Sequence, residues 1–191
     1  MSPLLQLPGI QHRAVPLSVE AWHHMIAKGL APKRAELLEG VIVEKMSKSI
    51  LHTRLLSRTM EALHQALTGA YWLRQEAPIT MSDSEPEPDI SVVAGREESY
   101  AAHPATALLV IEISVSTLLE DRAMAALYAK AGVVEYWLFN ARSRQVEVFR
   151  QPEAGQYREH FSVPADSPLH STSLHVSLGL AELWEGLPLE S

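Results

Sequence analysis

The chain has 191 residues, of which 47% are hydrophobic and 20% charged, enough for one domain with a substantial core. It contains no cysteine, which excludes disulfides and thiolate metal sites, and its net charge of −7 argues against a general nucleic-acid binder. No apolar run approaches the roughly 20 residues of a membrane span. The start, MSPLLQLPGI, lacks the cationic residues of a signal peptide. We therefore expect a soluble, cytoplasmic protein.

Positive charge is concentrated in residues 28–58. This segment holds seven Lys and Arg residues against three Glu residues, a net charge of +4 in a chain that is acidic as a whole. Such a patch can bind phosphate groups, and Lys48 and Arg54 are then the candidate contacts. The simpler interpretation, a solvated face, is favoured for any single one of these residues.

The first half of the chain predicts two helices, a hairpin between them, and two strands. Ser18 is placed to cap the first helix, which Gly29 ends. The stretch AELLEGVIVEKM indicates a hairpin or a bent strand pair with Gly40 at the turn. Ser49 is placed to cap the second helix, which carries leucines on one side. The two strands are predicted at residues 70–80 and 89–93.

The second half predicts the centre of a mixed sheet. The stretch ALLVIEIS is apolar on both faces, as expected for a strand that helices cover on either side. Residues 117–131 are rich in Ala and Leu and stop at Gly132, which indicates a helix. VVEYWLFN and QVEVFR pair around a turn, YREHFSV can extend the sheet, and LGLAELWEG is a short amphipathic helix. The pattern predicts a single-domain, mixed α+β fold.

Two carboxylates stand where buried acids are costly, Asp89 at the start of DISVV and Glu112 within LLVIEIS. If these strands are antiparallel neighbours, or if a bent strand joins their ends, the two acids meet at one sheet edge. Like charges repel and burial raises the pKa of a carboxyl group, and a divalent cation such as Mg²⁺ or Mn²⁺ removes both problems. Spacing alone favours the simpler interpretation, in which Asp89 caps a turn and Glu112 pairs with an arginine.

An ordered set of motifs resembles one known family. ELLEG, SILH at the start of a helix, EPDISVV, LLVIEISVST and LYAKAGVVEYWLFN look like the Uma-two family of restriction-endonuclease-like proteins, within the PD-(D/E)XK nuclease superfamily. The resemblance covers residues 16–187 and leaves residues 1–15 as an N-terminal extension. It implies a restriction-endonuclease-like mixed sheet flanked by helices, a Mg²⁺ or Mn²⁺ cofactor, a DNA substrate and a homodimer.

The same resemblance implies roles for individual residues. Asp89 matches the acid of the family's Pro-Asp element and would be a metal ligand, with Glu112 as the second ligand and the Ile113 carbonyl as the third. Glu36 in AELLEG matches an upstream acid that reaches the metal directly or through water. His52 matches a histidine at the start of a helix, where it would meet a phosphate. An ordinary exposed residue is an equal alternative for His52.

The sequence departs from the family at the catalytic cation. The superfamily lysine would fall at position 114, which is serine, and the family's own lysine, one turn before Tyr128, is replaced by Met124. Arg122 is the nearest cation and the predicted substitute, although arginine is a poor proton-transfer partner. Lys130 lies about 240° round the helix from Met124 and should face elsewhere.

We expect a metal-dependent endonuclease that hydrolyses phosphodiester bonds in DNA and is weakened by the loss of this lysine. Its catalytic set would be Glu36, Asp89, Glu112 and Arg122. One alternative is a catalytically inactive nuclease-fold protein that binds nucleic acid or a protein partner, and another is a hydrolase of a smaller phosphate ester. The Trp and Tyr side chains of EYW or of the last helix could supply a dimer interface, but core packing is the preferred interpretation.

Overall fold

The computed structural model describes residues 7–188. Contacts divide the chain into two compact units, Met1–Lys45 with Met81–Pro86, and Met46–Thr80 with Glu87–Ser191. Within residues 7–188, no helix combines the length and the apolar character that a membrane crossing needs. The predicted mixed α+β class is confirmed, while the domain limits at residues 15 and 187 stay a prediction.

The first unit consists of two helices and a hairpin. Its elements are α1 (Pro8–Gln11), α2 (Val19–Ala27), β1 (Ala35–Leu38) and β2 (Val41–Glu44). The Ser18 side chain caps α2 by accepting a hydrogen bond from the Ala21 amide, as the sequence predicted. Trp22 of α2 packs with Ala35 and Leu37 of β1, and all three are buried. These residues form the core of the unit.

A two-residue turn joins β1 to β2. Leu38 pairs with Val41, and Glu39 and Gly40 between them have φ values of 48° and 75°. Positive φ at both central positions defines the type I′ turn, which suits the right-handed twist of a hairpin. The predicted hairpin with Gly40 at its turn is therefore confirmed.

The second unit is built on a six-stranded sheet with the order β3-β4-β5-β6-β7-β8. Its helices are α3 (Ile50–Ala66), α4 (Leu118–Lys130) and α5 (Leu180–Trp184). Its sheet strands are β3 (Tyr71–Gln75), β4 (Ile90–Ala94), β5 (Leu109–Ser114), β6 (Glu135–Asn140), β7 (Gln145–Glu153) and β8 (Gln156–Pro164). All neighbouring strands are antiparallel except β5 and β6, and α4 forms the crossover that this parallel pair requires.

Strand β5 separates two environments. Leu109, Ile111 and Ile113 belong to the main hydrophobic cluster, which also contains residues of α3 and α5. Side chains alternate between the faces of a strand, so Glu112 lies on the opposite face, where Tyr128 of α4 contacts it. Both α3 and α4 contact β5, which confirms the prediction that helices cover this strand on either side.

Two parts of this unit differ from the sequence prediction. Strand β3 ends at Gln75 instead of near residue 80, because Glu76 has a φ of 47°, outside the range of extended strands. An additional hairpin, β9 (Pro168–Ser171) and β10 (Val176–Gly179), has no counterpart among the predicted elements. Glu135 holds its turn by accepting hydrogen bonds from the Thr172 hydroxyl and the Ser173 amide, contacts that a local sequence pattern does not reveal.

The aromatic residues considered for a dimer interface lie in the core. Tyr136 and Trp137 of β6 are 0% exposed, and Trp184 of α5 is 2% exposed. Core packing, the preferred interpretation of these residues, is confirmed. The predicted homodimer would need another surface.

Gly40→Ala is expected to destabilise the protein more than Gly29→Ala. Both glycines have positive φ values, so each alanine meets a left-handed penalty of about 1 kcal/mol. A Cβ at position 29 would have no neighbour within 4 Å, whereas one at position 40 would overlap the Pro16 ring and lie 2.9 Å from Pro16 Cα. Overpacking of this kind adds roughly 1–3 kcal/mol. Urea unfolding measures the difference, and equal midpoints for the two variants would contradict the close approach of Pro16.

Candidate active site at the start of strand β4

Asp89 and Glu112 face each other across the antiparallel strands β4 and β5. The register pairs Ile90 with Ile111, so its continuation by one residue sets Asp89 opposite Glu112. The Asp89 amide donates a hydrogen bond of 3.1 Å to Glu112 Oε2. The antiparallel pairing on which the sequence hypothesis depended is therefore present, and the two acids meet.

Three donors hold the buried Asp89 carboxylate. Its Oδ2 accepts hydrogen bonds from the Ile113 amide at 2.8 Å and from His52 Nε2 at 2.9 Å, and its Oδ1 contacts Lys48 Nζ at 2.8 Å. Burial alone would raise the pKa of Asp89, but the hydrogen bonds and charges of His52 and Lys48 outweigh burial and lower the pKa. Asp89 is therefore ionised at neutral pH.

Glu112 has the opposite balance. Its Oε1 accepts a hydrogen bond of 2.8 Å from the Tyr128 hydroxyl, a neutral donor. Burial raises the pKa of Glu112 well above its usual value, and the charges on Asp89 and Asp121 raise the pKa further. Adjacent carboxyl groups whose pKa values are moved apart by their surroundings are a feature of candidate catalytic sites.

Asp121 of α4 is a third carboxyl group that acts on this pair. Its Oδ2 accepts a hydrogen bond of 2.7 Å from the Thr117 hydroxyl, and burial raises its pKa. Asp121 precedes Tyr128 by seven residues, which places both on the same side of the helix. The family motifs did not point to Asp121. Its seven-residue spacing from Tyr128, whose hydroxyl contacts Glu112, is the sequence signal that could have found it.

Lys48 connects Asp89 to a further acid, Glu76. Lys48 Nζ lies 2.6 Å from Glu76 Oε1. Burial would lower the pKa of Lys48, but Asp89 and Glu76 outweigh burial and raise it, so the side chain is an ammonium. Glu76 follows β3 directly, and its amide donates to the Asp89 carbonyl at 3.1 Å. Sequence reasoning missed Glu76 and the contact of Lys48 with the two acids. The predicted phosphate contact of Lys48 stays a prediction.

His52 supports Asp89 from the first turn of α3. The residue is 8% exposed, and because an ionised carboxylate only accepts hydrogen bonds, Nε2 carries the proton that is shared with Asp89. The other ring nitrogen, Nδ1, is buried and has no hydrogen-bond partner within residues 7–188. The alternative expectation, an ordinary exposed residue, is wrong because the ring is buried against Asp89. The phosphate contact of His52 stays a prediction.

Arg122, the predicted substitute for the missing lysine, pairs with a different carboxylate. Its guanidinium makes hydrogen bonds of 2.7 and 3.0 Å to Glu147 of β7. Leu138 pairs with Glu112 on one side and with Glu147 on the other, so Glu147 lies two strands from Glu112, or about 10 Å. The structure therefore directs Arg122 away from the position that the sequence assigned to it. Met124 on the same helix is half-buried.

The remaining predicted residues lie on other elements. Glu36 is half-buried in β1 of the first unit, where it pairs with Val43. Arg54 is exposed on α3. The assisting role of Glu36 and the phosphate contact of Arg54 both stay predictions.

Asp89 and Glu112 are the side chains that could hold a metal ion. Both offer carboxylate oxygens, the hard donors that Mg²⁺ and Mn²⁺ prefer, and Ile113 reaches the same place through its main chain. In the part of the chain that the structure describes, no group of three or more His, Cys, Asp or Glu side chains is arranged to hold an ion. Mg²⁺ needs only one or two carboxylates, because water and substrate complete its shell, so this donor pair fits such an ion.

Comparison with known proteins gives a family and a fold. The family model Uma2, described as a putative restriction endonuclease, matches residues 21–187. One similar solved structure is a putative nuclease belonging to DUF820 from Anabaena variabilis, with a TM-score of 0.72 and 20% sequence identity over 91% of this chain and 100% of that chain. This likeness confirms the predicted fold, a mixed sheet flanked by helices. No curated protein matches the chain.

Glu112→Gln is expected to stabilise the metal-free protein more at pH 8 than at pH 5. Because the folded-state pKa of Glu112 is raised above 4.5, the folded state keeps this proton more tightly than the unfolded state. The wild type therefore loses stability as the pH rises above the unfolded value, whereas the glutamine variant does not. Melting temperatures of both proteins in a chelator, at the two pH values, measure the difference. A gain that does not depend on pH would contradict the raised pKa.

Glu147→Gln is a control for which the change in stability with pH should have the opposite sign. Burial would raise the pKa of Glu147, but the hydrogen bonds and charges of Arg122 and His160 outweigh burial and lower it. This carboxylate therefore stabilises the folded state above the unfolded pKa, and the contribution is lost as the pH falls through the folded value. Its replacement should cost more stability at pH 8 than near pH 4.

Proposed function

We propose that this chain, which belongs to the Uma2 family of restriction-endonuclease-like proteins, hydrolyses phosphodiester bonds in DNA with the help of a divalent metal ion. Family membership follows from the match over residues 21–187. The observation that carries the proposal is the pair formed by the buried Asp89 and the half-buried Glu112, which meet through the Asp89 amide. A carboxylate in an apolar strand is costly without a compensating cation, and the donors to Glu112, the Tyr128 hydroxyl and the Asp89 amide, are both neutral.

Asp89 and Glu112 would hold the ion through their carboxylates, with the Ile113 carbonyl as the third protein ligand. Mg²⁺ or Mn²⁺ bound there would polarise the phosphate and lower the pKa of a water molecule. The surrounding residues keep the ligands in place. His52 and the Ile113 amide fix the Asp89 carboxylate, and Tyr128 fixes the Glu112 carboxylate.

The reaction is the hydrolysis of one phosphodiester bond. The oxygen of water forms a new bond to phosphorus and loses a proton, and the bond from phosphorus to the leaving oxygen breaks. The leaving oxygen takes up a proton, which balances the one that the water releases. Arg54, exposed on α3, is a candidate contact to the DNA backbone, and Glu36 is a candidate assisting acid.

One observation favours a second candidate function, a catalytically inactive protein that binds nucleic acid or a protein partner through the same fold. Methionine occupies position 124, where the family carries lysine, and Arg122 is engaged with Glu147. Glu112 favours catalysis instead, because a carboxylate in an apolar strand costs stability unless a cation compensates it, and its side-chain partner is the neutral Tyr128 hydroxyl.

Millimolar Mn²⁺ should raise the melting temperature, because an ion that binds only the folded state stabilises it by mass action. Asp89→Ala should abolish this rise, since it removes one ligand. Glu147→Gln is the matched control, because Glu147 is buried to a similar degree, 4% exposed against 6% for Asp89, but is paired with Arg122. A Mn²⁺-induced shift that survives Asp89→Ala would refute the metal site.

Charge reversal at Arg54 tests the contact with nucleic acid. Arg54→Glu should weaken DNA binding, and the slope of log affinity against log salt concentration should decrease by about one. Arg96→Glu is the control, because Arg96 is also exposed but follows the end of β4 that is opposite to Asp89. Binding titrations at two salt concentrations give both quantities. Equal effects of the two reversals would show that only the net charge matters.

A further inference from the structure

A cation lies at Asp89 although the chain lacks the lysine typical of its family. Methionine stands at position 124, and Arg122 is held by Glu147. Lys48 reaches the site from a different part of the chain, 41 residues before Asp89, and its Nζ lies 2.8 Å from Asp89 Oδ1. The site therefore contains a positive charge that the family motifs do not predict.

Two contacts fix Lys48 at this place. The next residue, Ser49, caps α3 by accepting a hydrogen bond of 3.2 Å from the His52 amide, so the main chain beside Lys48 is anchored to the helix. Glu76 holds the ammonium from 2.6 Å. The Lys48 side chain is still 28% exposed, so a ligand from solvent can reach the ammonium while it stays at Asp89.

We propose that Lys48 supplies the catalytic cation of this site and that Glu76 positions it. The inference rests on the proposed nuclease function and specifies how this chain would perform it without the family's lysine. The ammonium would face the scissile phosphate and stabilise the negative charge that develops as the water oxygen attacks phosphorus. Lys48 acts as a fixed charge in this role, so it need not lose a proton.

Lys48 should also oppose metal binding, because its ammonium and a divalent ion would share the Asp89 carboxylate. Coulomb repulsion between such charges at about 5 Å changes an affinity on the order of tenfold even in water. Loss of the Lys48 charge should therefore tighten Mn²⁺ binding while it slows cleavage. A variant with a merely damaged structure would lose both.

Lys48→Met keeps an unbranched side chain that is one atom shorter and removes its charge. With DNA and Mg²⁺ or Mn²⁺, this variant should cleave about 10²–10³-fold more slowly than the wild type. Its Mn²⁺ affinity in a thermal-shift titration should rise on the order of tenfold. Lys48→Arg, which keeps the charge, should retain the wild-type Mn²⁺ affinity. Lys130→Met, at an exposed lysine of α4, is the matched control and should change neither quantity.

Two further variants distinguish a catalytic charge from a structural one. The addition of Met124→Lys to Lys48→Met should restore part of the cleavage, because a lysine then stands where the family carries it. Glu76→Gln should lower kcat in the wild-type background but not in the Lys48→Met background, since positioning matters only while the lysine is present.

The role of Lys48 would be overturned if Lys48→Met kept the cleavage rate and Mn²⁺ affinity of the wild type while Asp89→Ala lost cleavage. That outcome would leave the nuclease function standing. Absence of cleavage in the wild type and in Met124→Lys alike would overturn the nuclease function, and the inference with it. If Lys48→Met lacks a cooperative melting transition, Lys48→Gln provides the same comparison with a side chain that can still bind Glu76 by a hydrogen bond.

Discussion

The antiparallel register of β4 and β5 is the constraint on which the candidate site depends. It sets Asp89 opposite Glu112, while the neighbouring pair, Ile90 and Ile111, belongs to the main hydrophobic cluster. Because side chains alternate along a strand, a slip of one residue would turn Glu112 into that cluster and expose the apolar residues to the other face. The apolar pattern that stabilises the sheet therefore also fixes the position of the two acids relative to each other.

The surroundings of the two acids differ, and this difference moves their pKa values in opposite directions. Asp89 receives a cation, an imidazole and an amide, and its pKa is lowered. Glu112 receives the neutral hydroxyl of Tyr128, and burial raises its pKa well above the usual value. One group is thus kept ionised and the other favours its proton. A divalent ion stabilises both groups as carboxylates, so metal binding at this place would be coupled to the release of a proton.

The elements that carry the site were predictable because their causes are local. Ser49 caps α3 through its own side chain, and the apolar run of β5 marks a strand covered on both faces. Which strands pair, and in which register, depends on contacts between residues far apart in the chain. For this reason the sequence could state the meeting of Asp89 and Glu112 only as a condition. Glu76 was missed for the same reason, since only the register of β3 and β4 brings it to Asp89.

The cation shows how closeness in sequence can mislead. Arg122 is near the missing lysine along the chain, but the register of β5, β6 and β7 places its partner Glu147 two strands away from Glu112. Lys48 is distant along the chain, yet the start of α3 brings it to Asp89. The two acids determine that a positive charge is needed, whereas any segment that passes the start of β4 can supply it. The loss of a motif lysine therefore does not by itself imply the loss of the chemistry.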